Sequence, residues 1–451
     1  MIFIKTLFSF VCIVFLFVAL NSCFQNRKSA VSIAIISDIH LGDSRALEQD
    51  YAWFNKNKNS LISFLDSLGK RKDIKTLAIA GDLFDEWVSP IDVSAYPNYS
   101  ASHKDFILDI KEANKEVIEA IAALKKGGID IFYVNGNHDM LVDAQDIEAV
   151  FGKGIVSYCG DFFNSQAALG TFYDKDLKLI VEHGHRYDFF NAPYRQIFKD
   201  LNGNNAISIL PPGFFAAKLS ASASLSQEKG IKLEASKMEE IAKEFSALEK
   251  DNSKSRDTKL YAFAWNVTLD FLSIPQSRYK IRNIKTGIDY FEGLYSIEDF
   301  APYLSNGALI DKRKIFKNIE KDWENTQKTN GIDGIKQPFI PLAKAILADG
   351  ITSYFDDMAR SQYFDNTNSG VRIVVFGHSH EAKLITHYAD TPSKKSIYAN
   401  SGTWIDNSKI SRNYVIVNPD KKAGKIFVSV YQIDENGKTE ILGEDFIQSG
   451  L

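Results

Sequence analysis

The stretch VSIAIISDIHLG, Val31–Gly42, decides the fold. Its first six residues form an almost unbroken apolar run, as expected of a central strand buried on both faces, and the run leads into Asp38 and His40. The same grammar recurs along the chain. Thr76–Ala80 leads into Gly81-Asp82-Leu83-Phe84-Asp85, and Ile129–Val134 into Gly136-Asn137-His138-Asp139. Leu177–Val181 leads into His183-Gly184-His185, and Val371–Phe376 into Gly377-His378-Ser379-His380. Between the early strands, the spacing predicts a helix over Asp105–Lys126: Phe106, Ile110, Ala113, Val117, Ile121 and Leu124 recur at three- and four-residue intervals before a stop at Gly127 and Gly128. Strands alternating with helices make an α/β pattern. Each motif begins where a strand ends, and open α/β sheets place ligands beyond those carboxyl ends.

The tail is β-rich, with strands predicted over Ala382–Tyr388, Ser396–Asn400, Tyr414–Asn418 and Lys425–Ile433 and a hairpin turn at Asp434-Glu435-Asn436-Gly437. The stretch from Asn191 to Asp365 reads differently. Met238, Ile241, Phe245 and Leu248 follow helical spacing, as do Ile315, Ile319 and Trp323, and Leu219–Ser226 is a Ser/Ala run. It reads as a mostly helical insertion, 191–365, folding over the site as a lid. No internal repeat is apparent.

At 451 residues the chain can bury a large core, and 45% apolar with 24% charged residues is a globular composition. A net charge of −4 supplies no basic field for nucleic-acid backbones, so nucleic acid is disfavoured as a partner. Lys5 followed by the apolar run Leu7–Leu20 reads as a signal peptide, residues 1–22. Leu20-Asn21-Ser22-Cys23 resembles a bacterial lipobox, which implies cleavage before Cys23, lipidation of its thiol and a membrane-anchored, exported protein with residues 23–30 as linker. An uncleaved signal anchor is the other reading of this segment. On the lipobox reading Cys12 leaves, Cys23 is acylated and Cys159 stands alone without an intrachain disulfide.

Six of the eight histidines fall inside the motifs. Imidazole and carboxylate ligands together suit borderline divalent metals such as Mn, Fe, Zn or Co. At an extended strand end, Asp38 and His40 would point the same way, as would His378 and His380, because side chains alternate with period two. Gly81 and Gly377 allow close backbone approach. A carboxylate can bridge two cations with its two oxygens. A single Asp-x-His is more often a surface pair, and a single Gly-Asn-His-Asp a turn. All five in this order are another matter.

Together these motifs resemble the calcineurin-like metallophosphoesterase superfamily. The resemblance implies an αββα sandwich of two mixed sheets built from residues 31–190 and 366–451, and hydrolysis of phosphate esters or anhydrides. It implies that Asp38, His40 and His380 hold one divalent metal ion, that Asn137, His183 and His378 hold a second, and that Asp82 bridges them. It further implies a bridging hydroxide as nucleophile, His138 as proton donor to the departing oxygen, and Asp139 as the group orienting His138. Ser37–Gly42, Gly81–Trp87 and Asn400-Ser401-Gly402-Thr403-Trp404 are similar to the branch holding the UDP-diacylglucosamine pyrophosphatases. The chain departs from that branch at His138, where Arg is usual, and at Gly184-His185-Arg186, where Gly-Asp is usual; an exported protein would also not meet that cytoplasmic substrate. A nuclease of the same superfamily and an inactive binding scaffold are the alternatives.

Arg186, with His185 beside it, is the candidate substrate clamp, because guanidinium pairs bidentately with phosphate oxygens; the competing reading is an ion pair with Asp188 or another carboxylate. The apolar stretch Ile207–Phe215 could meet an acyl chain of a lipid-like substrate or simply pack. Trp87 and Trp404 could stack on a substrate ring or sit in the core, and His103 could line the pocket or lie on a loop.

Overall fold

The structure is a computed structural model. It describes residues 31–48, 52–87, 103–160, 169–193 and, with short breaks, 353–449, together with isolated segments between 196 and 348. The strands are β1 (Ser32–Ile36), β2 (Ile74–Ala80), β3 (Asp130–Val134), β4 (Val156–Tyr158), β5 (Phe172–Asp174) and β6 (Leu179–Val181), then β7 (Gln196–Lys199), β8 (Asn205–Ser208), β9 (Ile281–Asn283) and β10 (Gly293–Tyr295). After them come β11 (Ile373–Phe376), β12 (Lys383–Tyr388), β13 (Lys395–Asn400), β14 (Asn413–Asp420), β15 (Lys425–Ile433) and β16 (Thr439–Gln448). Two mixed sheets carry the fold. One has seven strands in the order β16-β15-β14-β1-β2-β3-β4, and the other five in the order β12-β13-β11-β6-β5.

The parity of each strand explains how the layers separate. Ile33 and Ile35 of β1, with Ala78 and Ala80 of β2 and Phe132 and Val134 of β3, face the second sheet and pack on Val181, Ile373, Val375 and Ala399. Their neighbours Ala34, Ile36, Leu77, Ile79, Ile131 and Tyr133 face the other way, onto Leu61, Phe64 and Leu65 of the helix Lys58–Lys70 and Val117 and Ile121 of the helix Lys115–Lys126. The continuous apolar reading of β1 follows from this double burial. Because β1, β2 and β3 are parallel, their carboxyl ends gather at one edge; β6 and β11, also parallel to each other, bring His183 and His378 to it. The motif loops meet there.

Three expectations need correction. The helix predicted over Asp105–Lys126 is two, His103–Ala113 and Lys115–Lys126. The buried Asn114 breaks it by donating its side-chain amide to Gly42 O (2.8 Å) and Ile110 O (2.9 Å), the competition with helical bonding that Asn offers. The insertion's described residues include two antiparallel pairs, β7 with β8 and β9 with β10, besides the short helices Leu342–Ile346 and Tyr354–Ala359. Cys159 does not stand alone but is disulfide-bonded; the chain's other cysteines, Cys12 and Cys23, lie outside the described residues. The signal segment, Met238–Leu248 and most of Ile207–Phe215 lie outside them too.

Candidate metal centre

β1 ends at Ile36, and the chain then enters conformations that side chains rarely adopt. Asp38 has φ 53°, His40 58°, Asp82 51°, His378 70° and His380 57°, five of the seven non-glycine residues with positive φ among those described. Backbone strain is therefore concentrated on the candidate ligands. This corrects the period-two reading: Asp38 and His40 share a direction because a left-handed loop aims them, not because a pleat does.

The loops hold one another. Asp38 N–H donates to Gly81 O (3.1 Å), and the Ile39 and His40 N–H groups both donate to Asp82 O (2.9 and 3.0 Å). Trp404 N–H and the Thr403 hydroxyl donate to Asp38 O (3.0 and 2.9 Å), while the Asn400 amide donates to Gly377 O (2.6 Å). Asn400–Trp404 thus brackets the first and last motifs from behind, and the Trp404 ring is buried in the core against Phe64. At Gly81, φ +84° and a would-be Cβ 2.6 Å from His183 Nδ1 leave no room for a side chain. At Gly377 a Cβ would meet Asp38 Oδ2 at 2.5 Å.

All seven expected donors converge. His380 Nε2 lies 3.2 Å from Asp38 Oδ1 and 3.2 Å from His40 Nε2, which lies 3.6 Å from Asp82 Oδ2. Asn137 Oδ1 lies 3.0 Å from His183 Nε2 and 2.9 Å from His378 Nδ1, and His183 Nε2 lies 3.2 Å from Asp82 Oδ2. Donors about 2.1 Å from a shared cation stand ~3.0 Å apart in octahedral and ~3.4 Å apart in tetrahedral geometry, so these separations are those of coordination spheres. Two imidazole Nε2 atoms facing each other beside carboxylates call for a cation. The residues fit divalent metal ions in two adjacent groups.

The remaining bonds fix which atom each residue presents. His183 Nδ1 donates to Ala80 O (2.8 Å), leaving Nε2 for metal, and His378 Nε2 faces Asp188 Oδ2 (3.1 Å), leaving Nδ1. Asp82 Oδ1 accepts the His138 N–H (2.8 Å). Only Oδ2 is then turned to both donor groups, and it is the oxygen Asp82 would offer to a metal ion.

His138 sits beside this array, and its orienting carboxylate is not Asp139. His138 Nδ1 bonds Asp85 Oδ1 (2.9 Å), while Asp85 Oδ2 lies 3.5 Å from His40 Nδ1. Asp139 instead accepts backbone N–H groups of Leu83 (2.7 Å), Phe84 (3.2 Å) and Gly136 (2.6 Å), pinning the second motif to the third. Left-handed turns strip backbone donors of their usual partners, and a buried carboxylate satisfies several at once. The His138 ring is stacked on Trp87 (4.7 Å between centroids) and approached by Trp53 (5.3 Å). Trp53 also lies 4.9 Å from His40 and 6.1 Å from His380. Neither Trp53 nor Asp188 carried a sequence signal, because both reach the site from loops outside the motifs.

Arg186 is buried and turned from the donors. Its Nε pairs with Glu182 Oε2 (2.6 Å), and its terminal nitrogens donate to Asn330 O (2.7 Å) and Thr171 Oγ1 (3.3 Å). The ion-pair reading holds, with Glu182 rather than Asp188, and the clamp expectation is corrected. His185 is buried against His183 (5.3 Å) and His378 (6.5 Å).

Protonation follows the crowding. Burial opposes charge on Asp82, but His183 and His138 hold its carboxyl well below the usual range. His183 is pushed up to about 9: burial works against its charge, and Asp82 and Asp38 outweigh it. His138 is raised in the same way, with Asp85 and then Asp82 outweighing burial. Burial and His138 lower His40, keeping its imidazole neutral as a ligand must be.

Residues 31–217 match the family described as calcineurin-like phosphoesterase. This agrees with the superfamily resembled by the motifs and with the two mixed sheets. The chain is similar to the DNA polymerase II small subunit of Methanothermobacter thermautotrophicus, at 26% identity over 168 residues, 36% of this chain and 32% of that protein. The chain thus spans about a third of the length of that curated relative. Among solved structures, Vps29 of Chaetomium thermophilum matches with 17% identity, TM-score 0.13, over 17% of this chain and 40% of that one. A single mutant of Vps29 from Entamoeba histolytica matches with 14% identity, TM-score 0.14, over 21% and 47%.

Proposed function

We propose that the protein is a metal-dependent phosphoesterase that hydrolyses a phosphate ester or anhydride with two divalent ions. Asp38, His40 and His380 would hold one, Asn137, His183 and His378 the other, with Asp82 Oδ2 between. The ions, when bound, supply charge neutralisation for a phosphoryl group and an activated water. The chain's own residues do the rest. Asp85 keeps His138 protonated at Nδ1, so that Nε2 can hand a proton to the departing oxygen. Trp87 and Trp53 flank that imidazole. The observation carrying this reading is the convergence of seven donors beside a non-ligand histidine that has its own carboxylate. The complete donor set weighs against an inactive scaffold. The test is a substrate panel of monoesters, diesters and nucleotide-sugars on protein reconstituted with Mn, Zn, Co or Fe; no turnover with any metal refutes it.

Likeness to a DNA polymerase subunit favours a second reading, a nuclease, and single-stranded oligonucleotides belong in the panel for that reason. The acidic net charge weighs against it. Gly81–Trp87 and Asn400–Trp404 support the UDP-diacylglucosamine pyrophosphatase-like branch for the core, without its substrate. We also propose export, supported by the signal-like Leu7–Leu20 and by a disulfide-bonded Cys159, since disulfides persist in oxidising compartments. The lipobox reading, which removes Cys12 and acylates Cys23, leaves Cys159 no intrachain partner, so an intrachain disulfide and that lipid anchor exclude each other.

A further inference from the structure

The two donor groups differ in how open they are. Around the second, Phe355 sets its ring edge-on to His378 at 5.3 Å and 88°, Asp188 lies behind, and the His378 side chain is 5% exposed. Around the first, the His380 side chain is 25% exposed, and Trp53 beside it is half-buried. Among the described residues, the more open side of the donor array is the one over His380 and Trp53. A substrate's leaving group must end near His138, which lies 5.3 Å from the same indole.

Trp53 is also held in place. Its carbonyl accepts the Asp406 N–H (2.8 Å), and the Asp406 carboxylate accepts the N–H groups of Asn55, Lys56 and Asn57 (2.9, 2.8 and 3.0 Å). An indole on a loop fixed this way presents a preset face, and a ring stacking there has little ordering to do. Its ring neighbours among the described residues are the imidazoles of His40, His138 and His380.

Resting on the phosphoesterase reading, we propose that Trp53 is the specificity-determining platform of the site and takes a planar aromatic leaving group, an aryl or nucleobase-bearing one, by stacking. Base–aromatic stacking of ~1–3 kcal/mol corresponds to roughly 5- to 150-fold in affinity. The probes are phenyl- and cyclohexylphosphonate, matched in size but planar and puckered, titrated into Mn-loaded wild type, Trp53→Ala and Trp53→Phe; phenyl and cyclohexyl phosphates are compared for turnover. The expected result is a preference of wild type for the phenyl probe that falls at least about fivefold in Trp53→Ala and largely survives in Trp53→Phe. An unchanged preference, or a Trp53→Ala protein that no longer holds metal, overturns the platform. Turnover with an unchanged preference sinks the platform and spares the phosphoesterase reading. Phenyl-selective binding lost in Trp53→Ala, with neither phosphate hydrolysed, does the reverse.

Discussion

Replacing Asp85 by Asn tests the site most directly, because among the described residues Asp85 is the carboxylate whose side chain bonds the His138 ring. The side chain is nearly isosteric, accepts the same bond and loses the charge. A carboxylate at 2.9 Å in a buried setting favours the charged form of its imidazole partner. The sign follows from the direction in the native protein. His138 is raised, its proton-donating form is the imidazolium, and activity falls as pH rises through its pKa. Without Asp85 that fall moves to lower pH, so well above both limbs kcat/KM drops, by up to the ~10²–10⁴-fold that loss of a general acid costs. At pH below the new limb it stays nearer wild type. The assay is kcat/KM against pH on metal-loaded protein, with metal content checked because Asp85 also faces His40 at 3.5 Å. A substrate with a very good leaving group needs no proton and should show little displacement. Asp139→Asn, whose carboxylate serves backbone N–H groups, should leave the limb where it is. An unmoved limb in Asp85→Asn with metals intact, or the same displacement in Asp139→Asn, would refute the assignment.

Asp82→Asn should nearly abolish hydrolysis and weaken binding of both metals, read by elemental analysis; full metal content with activity intact removes the bridging role. Gly81→Ala should impair metal binding through displacement of His183, whose Nδ1 lies 2.6 Å from the new Cβ, and calorimetric titration with Mn or Zn measures it. Metal-free protein should lose stability as pH rises from about 7 to 9. His183 is raised from 6.5 to about 9, so its contribution is complete below the unfolded value and lost through the folded one, about 3 kcal/mol in all. Thermal melts should fall by several degrees in that window without metal and far less with it. Mass spectrometry of secreted protein should find Cys23 either acylated or in a disulfide with Cys159, and only the first supports a lipid anchor.

The strands were legible because double burial leaves its mark on all of β1 and on most of β2 and β3, and the turn at Asp434–Gly437 announces β15 and β16. The donor residues were legible because imidazole, carboxylate and amide types recur directly after those strands. How they are aimed was not. Left-handed φ at Asp38 or His378 depends on bonds to partners 43 and 340 positions away, such as Asp38 N to Gly81 O and His378 N to Asp38 Oδ2. The same holds for Asp85 and Asp139, two carboxylates in neighbouring motifs: the role of orienting His138, read from adjacency as that of Asp139, falls to Asp85. Asp139 is next to His138 in sequence, yet its side chain turns back to the loop, and Asp85 crosses over to the ring.

Positive φ at five ligands costs of order 1–3 kcal/mol apiece, and a fold keeps such conformations only where its surroundings over-determine them. Here the surroundings are backbone bonds between motif loops. Asp38 N to Gly81 O, His40 N to Asp82 O, Gly377 N to His183 O, Trp404 N to Asp38 O and Ser401 N to Phe376 O tie five strand ends into one lattice, and none of them passes through a donor atom. The ligand directions are thus set by the two sheets before any ion arrives. Metal binding on such a frame would change charge more than shape, since the donors already stand 2.9–3.6 Å apart. That explains why the strain sits on the ligands rather than beside them: Asp38, Asp82 and His378 are where strand ends must turn sharply enough to aim side chains back across the sheet edge.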